Sequence, residues 1–378
     1  MEEEGISMKQ IDLFEYKGFQ RYFIFFDIVI KKDYSNKELF LESLNIAPSS
    51  YRRAKKFGNM IGEKILIKLC HKFHYQMINE NLITDFAQRL NKIYFNIYYK
   101  KYDLYDEDMA WLNEMLTKNY LFYPVLLMFK LLMALNSKDS PRDLIKQNED
   151  IYAEIMQFEP FFNDDLKYIY EIIQVAFIEN VATNPNVFNY KNELSYYTLS
   201  SKLLLAAKYI ESLYFSEKAK ERFLQEENYK RVYYINLNIM ANFNYLKRYN
   251  DCYNLAQKQL ITLEAQNLCF FEYNNTRKHF VIACLGLGKY KEIIDILDDI
   301  NSLNMTELCS LCISYYKTNK NEYNNFFNGL INNNVHSRED IYYFENLNRF
   351  ILKKDKEALE VIKASKIAKS LCPIIEKM

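Results

Sequence analysis

Glycine and proline are scarce in this chain, with 7 and 6 residues among 378. No glycine occurs between Gly62 and Gly286. A β-sheet protein of this length needs many tight turns, and tight turns draw on both residues. The long intervals are filled largely by residues that favour helix, although abundant Tyr and Phe favour strands locally. Because chain breakers are so few, we predict an all-α protein.

Net charge and long apolar runs are also missing. Lys and Arg together number 49, as do Asp and Glu, so a nucleic-acid or membrane partner has to be argued from a local patch. The most apolar stretch, residues 120–135, contains Pro124 and Lys130 and is shorter than the roughly 20 residues of a membrane span. The acidic N-terminus lacks the apolar run of a signal peptide. Seven irregularly spaced cysteines are typical of reduced thiols. We therefore expect a cytoplasmic protein with no membrane partner.

Motifs of catalysis and metal binding are not found. The sequence has no glycine-rich phosphate loop, no HExxH and no GxSxG. Cys309 and Cys312 form a single CxxC, whereas a structural zinc site needs four ligands. We expect these two thiols to pack in a core. The sequence thus predicts no enzyme, no cofactor and no metal site.

A repeated pattern is the most informative feature of the C-terminal half. The segments YLKRYNDCYNLA (245–256), CLGLGKYKEIIDIL (284–297), SYYKTNKNEYNNFF (314–327) and FILKKDKEALEVI (350–362) share it. In each, an apolar helix ends in a short polar turn and a second amphipathic helix follows. The turn exits at Tyr249, Tyr290, Asn321 and Asp355 are 41, 31 and 34 residues apart, near the tetratricopeptide period of about 34.

The LGKY segment (287–290) before an amphipathic helix resembles a tetratricopeptide repeat, and Leu246 and Tyr249 stand at the matching places of the preceding segment. The resemblance implies a tetratricopeptide-like α-solenoid, in which stacked hairpins bury one another's apolar stripes and the first helices line a concave face for a peptide or partner helix. A non-repetitive helical bundle is the alternative. Counting back from the turns gives five candidate peptide contacts: Tyr234, Asn238, Asn244, Asn275 and Lys278. Asparagine suits a peptide backbone because it donates and accepts, although plain surface asparagines are the alternative.

The segment NKELFLESLNIAPSSYRRAKK (36–56) has the spacing of a helix-turn-helix. Its predicted core comprises Phe40, Leu41, Leu44, Ile46 and Tyr51. Asn45 would take the turn position that needs a positive φ, and Pro48 suits the start of the second helix. Six outward residues are candidate DNA contacts: Ser49, Ser50, Arg52, Arg53, Lys55 and Lys56. Arginine and lysine neutralise phosphates and reach guanine edges. An ordinary helix pair with a solvated basic face is the alternative.

The phrase LNIAPSSYRR resembles the helix-turn-helix of lambda-repressor-like (XRE-type) regulators. Together with the repeats, the layout resembles the peptide-sensing transcriptional regulators of Gram-positive bacteria, the Rgg, PlcR and PrgX group. That resemblance implies a quorum-sensing homodimer that binds double-stranded DNA and a short signalling peptide. The expected domains are a helix-turn-helix domain (1–75), a helical linker with early hairpins (76–190) and a repeat domain (191–378). The alternative is a tetratricopeptide-type adaptor that binds a protein partner without DNA.

Overall fold

The computed structural model describes residues 9–57, 60–137, 145–178, 192–265, 270–297, 303–332, 337–365 and 369–378. Within these ranges every regular element is a helix, which confirms the all-α prediction, and the β pairing there is an isolated bridge between Gln76 and Tyr120. No helix in the described ranges has both the length and the apolar character needed to cross a membrane. The chain divides into two compact units, Met1–Lys202 with Lys218–Arg231, and Leu203–Glu217 with Val232–Met378.

The residues described in the first unit begin with these α-helices: α1 Gln20–Asp33, α2 Lys37–Ser43, α3 Pro48–Phe57, α4 Met60–Phe73, α5 Glu80–Tyr98, α6 Tyr105–Thr117, α7 Tyr123–Leu135, α8 Glu149–Gln157 and α9 Asp164–Phe177. Helix α7 contains most of the longest apolar stretch and is buried along nearly its whole length, as expected of a core helix.

Tyr16, just before α1, joins the N-terminal residues to the later helices of this unit. Its hydroxyl donates to the Phe161 carbonyl at 2.9 Å and accepts from the Asn163 amide at 3.1 Å. Its ring meets Phe122 edge-on at 5.2 Å. The domain boundary predicted near residue 75 therefore lies inside one compact unit. The boundary predicted near residue 190 falls outside the described residues, and the three-domain division remains a prediction.

From residue 193 the described part of the chain forms five successive helix pairs: α10 Glu193–Leu205 and α11 Tyr209–Gln225, α12 Tyr229–Tyr245 and α13 Tyr249–Ala265, α14 Phe270–Leu287 and α15 Tyr290–Ile296, α16 Met305–Thr318 and α17 Lys320–Asn332, α18 Arg338–Lys353 and α19 Lys356–Ala364. A short helix, α20 Cys372–Ile375, follows. The first helices begin 36, 41, 35 and 33 residues apart. Four second helices begin within one residue of the predicted turn exits. The succession of hairpins is thus confirmed.

One turn geometry recurs between these helices. Ala207, Glu227, Lys247 and Gly288 all have positive φ. In the turn before α13 the Lys247 amide donates to the Asn244 carbonyl at 3.1 Å, and the next amide donates to the Phe243 carbonyl at 2.8 Å. This pair of bonds is the Schellman motif, which satisfies carbonyls at a helix end. After each of these four residues, one further residue leads into a helix that starts with tyrosine.

Those tyrosines make a repeated contact inside the second unit. Tyr209, the first residue of α11, stacks on Tyr245 near the end of α12, with ring centroids 4.6 Å apart and planes 7° from parallel. Tyr249, the first residue of α13, lies so close to Gly286 that a Cβ there would be 2.5 Å from its ring. Tyr245 and Gly286 each precede the next helix start by four residues. In both cases, the tyrosine that begins a second helix therefore contacts the equivalent residue near the end of the next first helix.

Candidate functional site

Helices α2 and α3 form the predicted helix pair, and their turn has the same geometry as the hairpin turns. Asn45 has a φ of 54°, as predicted for this position. Its amide donates to the Glu42 carbonyl at 2.8 Å, and the Ile46 amide donates to the Leu41 carbonyl at 3.0 Å. Lys68 of α4 donates to the carbonyls of Leu44 and Asn45 at 3.1 and 3.2 Å. The turn is thus stabilised by its own backbone hydrogen bonds and by those from Lys68.

Tyr51 is buried, as predicted, and connects α3 to α1. Its ring meets Phe23 edge-on at 5.1 Å, and its hydroxyl donates to Asp27 Oδ1 at 2.7 Å. Asp27 also accepts from Lys37 of α2 and Lys55 of α3. Burial alone would raise the pKa of Asp27, but these hydrogen bonds outweigh it and lower that pKa below its ordinary value. One carboxylate therefore fixes both helices of the pair against α1.

The outer face of α3 carries the candidate DNA contacts. Ser49, Arg52, Arg53 and Lys56 are exposed and are spaced i, i+3, i+4 and i+7, which is one helical face. Arg52 contacts the Pro48 carbonyl of its own helix at 3.4 Å and Glu38 at 3.4 Å. The side chains of Arg52 and Glu38 are largely exposed, so this ion pair contributes little.

The two other candidates stand apart from this set. Ser50 is half-buried. Lys55 is exposed like the other basic residues, but its ammonium group is paired with Asp27 at 2.5 Å. Sequence reasoning missed Asp27, although a lone carboxylate inside the apolar run FQRYFIFFDIVI (19–30) was a signal.

Two of the five candidate peptide contacts make contacts between α12 and α14. Tyr234 is buried, and its hydroxyl donates to Glu272 Oε1 at 2.8 Å. The Asn244 amide donates to the His279 carbonyl at 3.3 Å. The other candidates, Asn238, Asn275 and Lys278, are half-buried on the same two helices. Peptide binding by these residues remains a prediction.

A buried ion pair connects α14 to α16, the first helix of the following pair. Arg277 Nε donates to Glu307 Oε1 at 2.8 Å, with side chains only 9% and 1% exposed. The other carboxylate oxygen of Glu307 accepts from the Asn304 amide, closing a capping box at the start of α16. Together with the Tyr234–Glu272 bond, this pair links α12, α14 and α16. Sequence reasoning missed it because the partners lie 30 residues apart.

Cys309 and Cys312 are both buried in the core of the second unit, as predicted. Burial raises the pKa of both thiols above the ordinary value, so they stay protonated. Cys269 lies outside the described residues.

Comparisons with models of protein families, with curated protein sequences and with solved structures each gave no significant match for this chain.

Proposed function

We propose that this protein is a transcriptional regulator in which α2 and α3 bind double-stranded DNA and the helical pairs bind a short peptide that controls that binding. Following the resemblance, the regulator acts as a homodimer in the cytoplasm. The observation that carries the proposal is that α3 has one set of residues that fixes it to α1 and another set that faces outward. Tyr51 and Lys55 anchor the helix from behind, while Ser49, Arg52, Arg53 and Lys56 face outward. Docking into a major groove needs such a helix, rigidly held and presenting donors.

The peptide-binding part of the proposal is supported by the placement of three amide and ammonium side chains. Asn238, Asn275 and Lys278 lie half-buried on α12 and α14. The Tyr234–Glu272 bond holds those two helices together. Polar groups on rigid elements pair with a peptide backbone at less entropic cost than groups on loops.

DNA binding is tested by fluorescence anisotropy with a labelled duplex taken from upstream of the gene. Arg52→Ala/Arg53→Ala should weaken binding and reduce the salt slope by about 2, because two phosphate contacts are lost. The matched control is Lys31→Ala/Lys32→Ala, which removes two exposed charges of the same sign at the end of α1. The control should bind as the unaltered protein does.

Equal losses in the two double variants would contradict the assignment of α3 as the DNA-binding helix. No binding even at about 50 mM salt, where phosphate contacts are strongest, would favour the adaptor instead.

The peptide part has a separate test. Peptides encoded by small reading frames beside the gene are titrated against the full chain by calorimetry. Asn238→Ala and Asn275→Ala should each weaken the binding of a peptide that the unaltered protein recognises. Unchanged affinity in both variants would remove the repeat face from the proposal.

A further inference from the structure

A groove runs along the first unit between α5 and α6, far in sequence from α3 and from the helical pairs. Its volume is about 650 Å³, within the range of about 300–1,000 Å³ typical of ligand sites. Helix α5 contributes Asp85, Phe86 and Arg89, α6 contributes Trp111 and Glu114, and Lys118 follows directly after α6. Arg89 follows Asp85 by four residues and Phe86 by three, and Glu114 follows Trp111 by three, so each set lies on one side of its helix.

The wall of the groove is aromatic. Phe86 is buried and meets Trp111 edge-on at 5.7 Å and Tyr120 at 5.7 Å. The guanidinium carbon of Arg89 lies 5.7 Å from the centre of the indole ring. An indole face attracts cations, and Trp111 is the only tryptophan of the chain.

Most of the charges in the groove are already paired. Arg89 contacts Glu107 Oε1 and Asp108 Oδ1, both at 3.0 Å. Lys118 contacts Glu114 at 2.7 Å. Asp85 is exposed and has no ion pair or hydrogen bond to any described residue, even though Arg89 lies one turn further along α5. The groove therefore keeps one uncompensated carboxylate.

The groove also keeps one unused donor. Arg89 Nε is buried and has no hydrogen-bond partner among the described residues. A buried N–H without an acceptor costs about 1–3 kcal/mol, which an oxygen of a bound molecule would offset. The free groups are thus a carboxylate, an N–H donor and an aromatic wall.

We propose that this groove binds an organic cation: an ammonium or guanidinium group on an apolar body, next to a carbonyl oxygen. The cation pairs with Asp85, the apolar body lies against Phe86 and Trp111, and the carbonyl oxygen accepts from Arg89 Nε. A free amine and a basic residue within a peptide share this chemistry. The site is additional to the proposed DNA and peptide sites, since it uses none of their residues.

The emission of Trp111 reports on the groove directly. The full chain is titrated with L-phenylalaninamide, which carries an ammonium group, a carbonyl oxygen and a phenyl ring. N-acetylphenylalaninamide, in which acetylation of the amine removes the charge and keeps the phenyl ring and the carboxamide, is the ligand control. We expect a saturable change in emission with the cation by about 20 mM, as for a millimolar Kd, and a weaker response to the neutral analogue.

Two variants locate the binding. Asp85→Asn should raise the Kd about fivefold, the upper end for an exposed ion pair. Asp106→Asn removes the same charge from an exposed position that does not line the groove, and it should leave the Kd unchanged. The capped peptide acetyl-Lys-Phe-Gly-amide distinguishes the sources: tighter binding than phenylalaninamide assigns the groove to a peptide-borne cation, and weaker binding assigns it to a free amine.

The proposal is overturned if neither cationic probe gives a saturable change. It is also overturned if the neutral analogue binds as well as the cation, or if Asp85→Asn and Asp106→Asn behave alike.

Discussion

The contact between Tyr249 and Gly286 gives a test of the packing between successive helix pairs. Replacing a helical glycine by alanine ordinarily stabilises a helix by up to about 1 kcal/mol. At Gly286 the new Cβ would lie 2.5 Å from the Tyr249 ring, and such overpacking costs about 1–3 kcal/mol. At Gly329 in α17 a new Cβ meets no atom within 4 Å. Gly286→Ala should therefore be less stable than Gly329→Ala by about 1–3 kcal/mol.

The two variants are compared by urea unfolding followed by circular dichroism. Gly329→Ala serves as the control because it gains helix propensity without a clash. Tyr249→Ala supplies a second check, since removing the ring should make a further Gly286→Ala change neutral or stabilising. The reasoning is refuted if the two glycine variants agree within about 0.3 kcal/mol, or if Gly286→Ala is equally costly with and without the Tyr249 ring.

Three further outcomes follow from the polar contacts. Asp27→Asn should lower the free energy of unfolding by about 1–3 kcal/mol, because hydrogen bonds to a charged group are lost; unchanged urea midpoints would contradict the anchoring role. Burial, reinforced by the charge of Lys278, lowers the pKa of His279 to about 3, so the folded protein keeps it neutral while the unfolded chain binds a proton below about pH 6.5. Stability from this group is full above pH 6.5 and falls by about 2 kcal/mol at pH 5, a loss that His279→Gln should abolish when urea midpoints are compared at pH 7.5 and 5. Arg277→Leu should cost about 3–5 kcal/mol by leaving the buried Glu307 unpaired, and Arg277→Leu/Glu307→Met should cost less; equal losses would count against a buried ion pair.

Features that depend on neighbouring residues were predictable from the sequence. The turn exits at Tyr249 and Tyr290 follow from where an apolar helical period stops and restarts. The positive φ of Asn45 and the burial of Tyr51 follow from the spacing of a helix-turn-helix. Each of these depends on at most one turn of chain on either side, so the local pattern contains the information.

Features that depend on distant partners were not predictable in this way. Lys55 looked like its outward neighbours, yet it binds Asp27, which is 28 residues earlier. Tyr234 fell on the predicted ligand face by counting, yet it is buried against Glu272, 38 residues later. The groove beside Asp85 depends on how α6 lies along α5. Helical periodicity predicts the helix face on which a side chain lies, but not the distant residue that packs against it.

The scarcity of glycine predicted the fold class correctly, but the structure gives a different physical reason why few glycines favour an all-α fold. Eight described residues other than glycine have positive φ, among them Ala207, Glu227, Lys247 and Lys354, so tight turns do not require glycine here. Each such residue costs about 1–2 kcal/mol, and the two Schellman hydrogen bonds offset that cost by satisfying carbonyls at the helix end. A two-residue β-hairpin turn of type I′ needs two consecutive residues with positive φ. A single residue with a side chain can adopt positive φ at a moderate cost in free energy, whereas two consecutive residues double that cost. Few glycines therefore exclude tight β-hairpins while leaving tight helical hairpins possible, which is why this sequence can fold as a succession of closely connected helices.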